Sequence, residues 1–184
     1  MYEGMANPND IEQLKITNMK KSKIVYSKYT SADFGSFETL VYNDDVMRYI
    51  SGKALTTLQA RDKFDSILAI NDEEEYLGYF KVYNTDKEFL GDCKLERCKY
   101  DSRKLEIGYI LKKSYWGQGY GTQICAAMLA LAKKVSPEKD ILGIIDPDNI
   151  ASKKLLEKFG FESYFIGVED GLPTEKLILK KQTI

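Results

Sequence analysis

The spacing of apolar residues changes several times along the chain, and each change marks an element. The run Ile24-Val25-Tyr26-Ser27-Lys28-Tyr29 reads as a first strand. After Ser31, a capping candidate, Phe34, Phe37, Leu40 and Val41 recur at helical spacing, and Thr57 opens a second helix carrying Phe64, Ile67 and Leu68. Three strand-like segments follow over 76–83, 88–98 and 105–111, joined by short polar links, which predicts an antiparallel meander. From Gly119 the period turns helical again, with Ile124, Ala127, Met128, Leu131 and Val135 on one face and a stop near Ser136-Pro137. The short run Ile141-Leu142-Gly143-Ile144-Ile145 reads as a strand buried on both faces and parallel to a neighbour in the sheet centre. Asn149 caps a last helix that turns Leu155 and Phe159 inward and stops at Gly160. Strands near 161–168 and 175–180 complete an α/β (α+β) fold.

Composition narrows the class. The chain has 184 residues, 43% hydrophobic and 30% charged, which suits one domain over 23–184 behind a polar tail or accessory helix over 1–22. Basic and acidic residues nearly cancel, 27 against 28, so no overall field draws the protein to nucleic acid or to an anionic membrane, and any anion site must be local. No stretch reaches the roughly 18 to 20 apolar residues of a membrane span, and the polar start lacks a signal-peptide core, so a cytoplasmic location is expected. Three cysteines, Cys93, Cys98 and Cys125, are an odd count that favours reduced thiols. The chain has no histidine, which removes Ser-His and Cys-His nucleophile pairs and the usual catalytic metal ligands. No metal site is expected, and proton transfer falls to carboxylates, Tyr, Lys, Ser, Cys or water.

The densest chemical signal is Trp116-Gly117-Gln118-Gly119-Tyr120-Gly121-Thr122, between a strand and the longest helix pattern. Alternate glycines let a backbone approach a ligand, and the open amides of a helix start point outward as anion donors. No acidic residue lies between Glu106 and Glu138, whereas Lys112, Lys113, Lys133 and Lys134 do, as a phosphate site requires. The same glycines would also serve a tight turn with no ligand. A nucleoside-triphosphate loop is absent, but Asp140 and Asp146 about twenty residues on keep a dinucleotide-binding domain open as another reading.

Together, Glu106-Ile107-Gly108-Tyr109, the glycine turn and Asn149 to Phe161 resemble the GNAT acetyltransferase superfamily. The string around Trp116 is similar to its branch of ribosomal-protein N-terminal and related small-amine acetyltransferases. The resemblance implies a mixed, mostly antiparallel sheet of six to seven strands with splayed central strands, flanked by about four helices. It implies acetyl-CoA as cosubstrate, its pyrophosphate on the turn from Gly117 through Gln118, Gly119, Tyr120, Gly121 and Thr122, and its pantetheine along the backbone of Tyr109, Ile110 and Leu111. Asn149 would reach the pantetheine amides and Ser152 would lie near the sulfur.

By the same resemblance Glu106 takes a proton from the attacking amine, directly or through water; paired with Lys or Arg, it would be an ordinary strand carboxylate. Many members carry a tyrosine as acid where this chain has Leu156, which leaves Ser152 as the acid candidate. Glu169 and Asp170 are a second source of base or a solvated turn, and Cys125 reads as a buried thiol rather than an acyl carrier. Gly108 within a strand points to a bulge, a close backbone approach or tight packing.

The expected reaction is direct acetyl transfer to a primary amine in a ternary complex, the acceptor being a protein N-terminus or a small-molecule amine. Tyr42, Asp44, Asp45 and Tyr49 are candidates for the acceptor pocket. A non-catalytic CoA-binding regulatory module is the alternative, and a homodimer is expected from family habit.

Overall fold

The computed structural model describes residues 23–181; the tail or accessory helix expected over 1–22 lies outside the described residues, as do residues 182–184. Seven strands form one sheet: β1 (Ile24–Lys28), β2 (Gly78–Asn84), β3 (Phe89–Arg97), β4 (Lys104–Leu111), β5 (Asp140–Ile145), β6 (Glu162–Glu169) and β7 (Leu172–Leu179). Their order is β1-β2-β3-β4-β5-β7-β6, and every pairing is antiparallel except β4 with β5. The helix α4 (Tyr120–Val135) makes that parallel crossover, as the switch in apolar period predicts.

Three helices stand between β1 and β2 where two were expected: α1 (Phe34–Val41), α2 (Asp44–Met47) and α3 (Thr57–Glu73). The four-residue α2 is too short to show a period, and its signal is Asn43, whose side chain accepts from the Val46 amide at 3.1 Å. Both expected caps move back one residue. Thr30 and Asp33 form a capping box around a short 3-10 turn before α1, and Thr56 caps α3 with Gln59. The last helix, α5 (Ile150–Lys158), starts at the Asn149 cap as expected.

Period-two alternation divides the core. Phe80 and Val82 of β2, Cys93 and Leu95 of β3, and Leu105, Ile107 and Leu111 of β4 pack under Ile124, Cys125, Met128 and Ala132 of α4. On the other face Tyr29 and Tyr79 meet Phe37, Leu40, Phe64 and Ile67 of α1 and α3, where aromatic rings stack edge to face. Asp92, Lys94 and Glu96, one residue out of phase with Cys93 and Leu95, therefore stand on the α1/α3 side of the sheet.

The feature that positions the site is a parting of strands. β4 pairs with β5 only from Lys104↔Asp140 to Ile107↔Gly143. Beyond that point β4 stays with β3 to Leu111, while Ile144 and Ile145 of β5 go with β7. Leu156 of α5 is buried over Gly143 at the apex, so that a Cβ on Gly143 would come 2.6 Å from Leu156 Cδ1. Adding that methyl should therefore destabilise the fold through overpacking. Gly143→Ala is expected to cost about 1 to 3 kcal/mol in urea denaturation. Combined with Leu156→Ala, the loss should be smaller than the sum of the two single losses, because the pair is in direct contact.

Candidate active site

The turn between β4 and α4 is shaped for an anion. Gly117 and Gly119 have φ of 72° and 81°, the left-handed region that an L side chain enters only at a cost. Gly119 is the N-cap of α4; it supplies no side-chain cap, and the first turn holds no acid, so the leading amides face outward with the positive end of a 16-residue helix behind them. Two side chains brace the turn. The Trp116 indole donates to the Leu111 carbonyl at 2.8 Å, and Gln118 Nε2 donates to the Ser114 carbonyl at 2.7 Å. Gly121 serves a different purpose from Gly119. A Cβ there would meet Leu155 Cδ1 at 3.0 Å and the Tyr109 hydroxyl at 3.2 Å, whereas one on Gly119 would have nothing within 4 Å.

A cleft of about 400 Å³ runs from this turn along β4, lined by Tyr109, Ile110 and Leu111, by Gly117, Gly119, Tyr120, Gly121 and Thr122, and by Asn149 and Ser152. Of the residues expected to bind cofactor, all but Gln118 line it. A second cleft of about 360 Å³ opens along Tyr79, Asp92, Lys94, Glu106 and Gly108 and reaches the β6–β7 hairpin at Glu169 and Asp170. The two clefts share Tyr49, Ile50, Tyr109, Ile110, Asn149 and Ser152. They meet where β4 has left β5.

The shared residues combine structural and chemical work. Asn149 Oδ1 accepts from the Ser152 amide at 3.1 Å, so it caps α5 while lining both clefts. Ser152 Oγ lies 3.3 Å from the Tyr109 hydroxyl. Burial pushes that phenol up, partly offset by the bond to Ser152, and it stays protonated at neutral pH. Leu156 is buried at 5% exposure and carries no acid.

Glu106 faces the second cleft with its carboxylate held by Lys94 Nζ at 2.5 Å. The same ammonium reaches Glu96 Oε1 at 2.6 Å, and the Tyr79 hydroxyl donates to that oxygen at 3.2 Å. Gly108 makes this possible, because a Cβ on it would come 3.0 Å from Lys94 Cε; the β3–β4 register runs through Gly108 without a bulge. The close approach at Gly108 is thus the stem of Lys94.

Other expectations divide. Tyr49 lines both clefts, but Tyr42, Asp44 and Asp45 line neither: Asp45 pairs with Lys113 at 2.7 Å and Asp44 accepts from the Ala54 amide at 2.7 Å. Glu169 and Asp170 line the second cleft; Glu169 is paired with Lys176 at 2.6 Å and Asp170 accepts from the Tyr100 hydroxyl at 3.0 Å. The loop expected around them is a two-residue hairpin, Asp170-Gly171, with both φ positive, which the Asp-Gly pair signals. Burial pushes the Cys125 thiol up to about 12, so it is protonated at neutral pH. Among the described residues no group of three or more His, Cys, Asp or Glu stands close enough to hold a metal.

Asp92, Lys94 and Tyr79 are cleft residues that the sequence reading missed. For Asp92 and Lys94 the signal was present in β3, where charges at 92, 94 and 96 alternate with apolar residues along a strand between two others.

The acetyltransferase (GNAT) domain family matches residues 23–162. The chain belongs to the GNAT acetyltransferase family. Its relative YoaA, an uncharacterized N-acetyltransferase of Bacillus subtilis (strain 168), is 21% identical over 78% of this chain and 82% of its own length. A spermidine N-acetyltransferase from Vibrio cholerae in complex with CoA and spermine shares the fold with a TM-score of 0.73, at 16% identity over 88% of this chain and 97% of that one. RimL, a ribosomal L7/L12 α-N-protein acetyltransferase in complex with coenzyme A, shares it with a TM-score of 0.72, at 13% identity over 87% of this chain and 95% of that one. The protein is therefore an acyltransferase of the GNAT N-acetyltransferase class, and the family uses acetyl-CoA.

The glycine turn, with its outward amides and no competing acid, fits the pyrophosphate of such a cosubstrate, and the unpaired backbone of β4 fits the amides of a pantetheine arm. Gly119→Ala separates conformation from packing. The methyl meets nothing, so its cost is the left-handed backbone alone, about 1 kcal/mol. Its Tm should fall by about 2 to 4 °C, and the upward Tm shift with acetyl-CoA should shrink because the amides no longer converge.

Proposed function

We propose that this protein moves the acetyl group of acetyl-CoA to a primary amine by direct attack within a ternary complex, and that residues 23–184 form the one domain that does so. The observation that carries the proposal is the meeting of the two clefts at the mouth of the parted strands, with the glycine turn at the far end of one and a wall of carboxylates in the other. Acetyl-CoA supplies the acetyl group as an activated thioester.

The residues of this chain do the rest. Amides from Gly117, Gln118, Gly119, Tyr120, Gly121 and Thr122 bind the pyrophosphate, and the free edge of β4 at Tyr109, Ile110 and Leu111 holds the pantetheine arm in register and polarises the carbonyl. Asn149 offers its amide nitrogen to the same arm. The Ser152 hydroxyl, backed by the Tyr109 hydroxyl at 3.3 Å, supplies a proton to the departing sulfur. The carboxylate wall, of which Glu106 is a member, receives the proton of the amine directly or through water.

The acceptor is a small-molecule amine or a protein N-terminal amine. The wall narrows the choice, because Asp92, Glu106, Asp146, Glu169 and Asp170 line the acceptor cleft against Lys63 and Lys94. Five carboxylates facing two ammonium groups favour an acceptor with added positive charge and disfavour a free amino acid, whose carboxylate would meet them. The neighbour acting on spermidine supports a cationic small amine, and the RimL neighbour, with the string around Trp116, supports an N-terminal acceptor of the ribosomal-protein type.

A cytoplasmic setting is supported by three free, buried cysteines. A homodimer is supported by β6, an edge strand whose Tyr164, Ile166 and Val168 are exposed at 51%, 64% and 70%.

Thermal stability with acetyl-CoA, followed by acetylation of an amine panel, tests the proposal. A Tm rise with acetyl-CoA but not with NAD, and turnover of polyamines or basic peptides ahead of free amino acids, is expected. No Tm rise, or CoA binding without acetylation of any amine, would overturn it.

A further inference from the structure

Three carboxylates stand on the acceptor face of β3 and β4, and they are not equivalent. Glu96 and Glu106 share Lys94 Nζ at 2.6 and 2.5 Å. Asp92 is 5% exposed, yet it lines the acceptor cleft, and its one side-chain hydrogen bond among the described residues is a long one from the Tyr29 hydroxyl at 3.4 Å. Its position also differs. Asp92 is in register with Ile110, in the part of β4 that has left β5, whereas Glu106 still pairs with Leu142 at the closed end. At about 3.3 Å per residue, positions 106 and 110 are about 13 Å apart along the strand.

The cations around Asp92 are turned to other partners. Lys81, directly opposite on β2, is bound to Asp33 at 2.7 Å. Lys94, two residues along β3, reaches the two glutamates. Lys63 of α3 stands over the Tyr79 ring at 5.2 Å from its centroid. Tyr29, at the end of β1, and Tyr79, on β2, are neutral hydroxyls, both pushed up chiefly by burial. Cys93, on the opposite face, is a thiol that burial keeps protonated. Among the described residues no cation forms an ion pair with Asp92. Burial therefore dominates and pushes Asp92 up to about 7, with the Tyr29 bond and the more distant Lys63 and Lys94 pulling the other way.

We infer that Asp92 is the group that takes the proton from the incoming amine, while Glu106, Lys94 and Glu96 form the fixed wall beside it. This assignment rests on the acetyltransferase reading above. An N–H bond of the substrate ammonium breaks and its proton goes to the Asp92 carboxylate. The freed lone pair forms the N–C bond to the acetyl carbon, and the C–S bond breaks with its electrons on sulfur. The Ser152 hydroxyl gives its proton to the sulfur and takes in return the second proton that the nitrogen sheds, and Asp92 passes its own proton to water.

The test measures kcat from about pH 5.5 to 9 for wild type, Asp92→Asn, Glu106→Gln and Tyr29→Phe, with thermal melts and acetyl-CoA binding over the same range. Wild-type kcat should rise with pH through one ionisation near 7. Asp92→Asn should bind acetyl-CoA as wild type does, lose about 100-fold or more in kcat, and lose that rise. Glu106→Gln should keep it. In Tyr29→Phe the rise should move to higher pH, because the bond that favours the charged carboxylate is gone.

The melts give a readout independent of turnover. The folded protein holds the Asp92 proton more tightly than the unfolded chain, so wild type should lose stability as pH climbs from about 5.5 through about 7, a loss that Asp92→Asn escapes. An Asp92→Asn variant with wild-type kcat, or a pH rise that Tyr29→Phe leaves unmoved, overturns the assignment alone. Failure of wild type to acetylate any amine overturns the acetyltransferase reading and the assignment with it.

Discussion

Much of this molecule follows from four residues of backbone. A strand inside a sheet has neighbours on both sides, because each amide and carbonyl needs a partner. From Gly108 to Leu111, β4 keeps β3 on one side and, among the described residues, has no strand on the other. The opening has built supports: Leu156 sits on Gly143 at the apex, and the Trp116 indole ties the Leu111 carbonyl to the glycine turn at the mouth. An edge in the middle of a sheet is costly in a fold with no ligand and useful in one whose ligand carries amides of its own.

Because side chains alternate along a strand, the same stretch serves two compartments. Tyr109 points to the side of α4 and α5, where it meets Ser152 and Gly121. Ile110 packs on the α1/α3 side, level with Asp92 and beyond Gly108 and Glu106. One layer of backbone separates the groups suited to a thioester from those suited to an amine, and the two meet only at the parted strands. This division involves no histidine: carboxylates stand on one face and hydroxyls on the other.

The acceptor face also shows how several acids coexist at low exposure. Lys94 neutralises two glutamates at once, its stem passing over the bare Cα of Gly108. Elsewhere Glu175, fully buried on β7, is paired with Lys153 of α5 at 2.8 Å, which ties the helix holding Ser152 to the far half of the sheet. Asp92 stands outside both arrangements, and its raised proton affinity follows from burial that no ion pair offsets among the described residues.

The amino-acid sequence by itself determined most of the elements and where the cleft along β4 begins. Apolar spacing is a local property, so the meander, the α4 crossover and the α5 cap were legible, as was the glycine-rich start of a helix free of acids. Short-range punctuation was harder to read: α2, at four residues, is too short for an apolar repeat to show. Only the tertiary structure decided which carboxylate is paired. Lys94, Glu96 and Glu106 are brought together by the antiparallel register of β3 with β4, which links residues twelve apart in the chain, and Asp92 is left alone because Lys81, opposite it, reaches Asp33 instead. Partner choice among charges depends on distances across strands, and no local spacing encodes those distances.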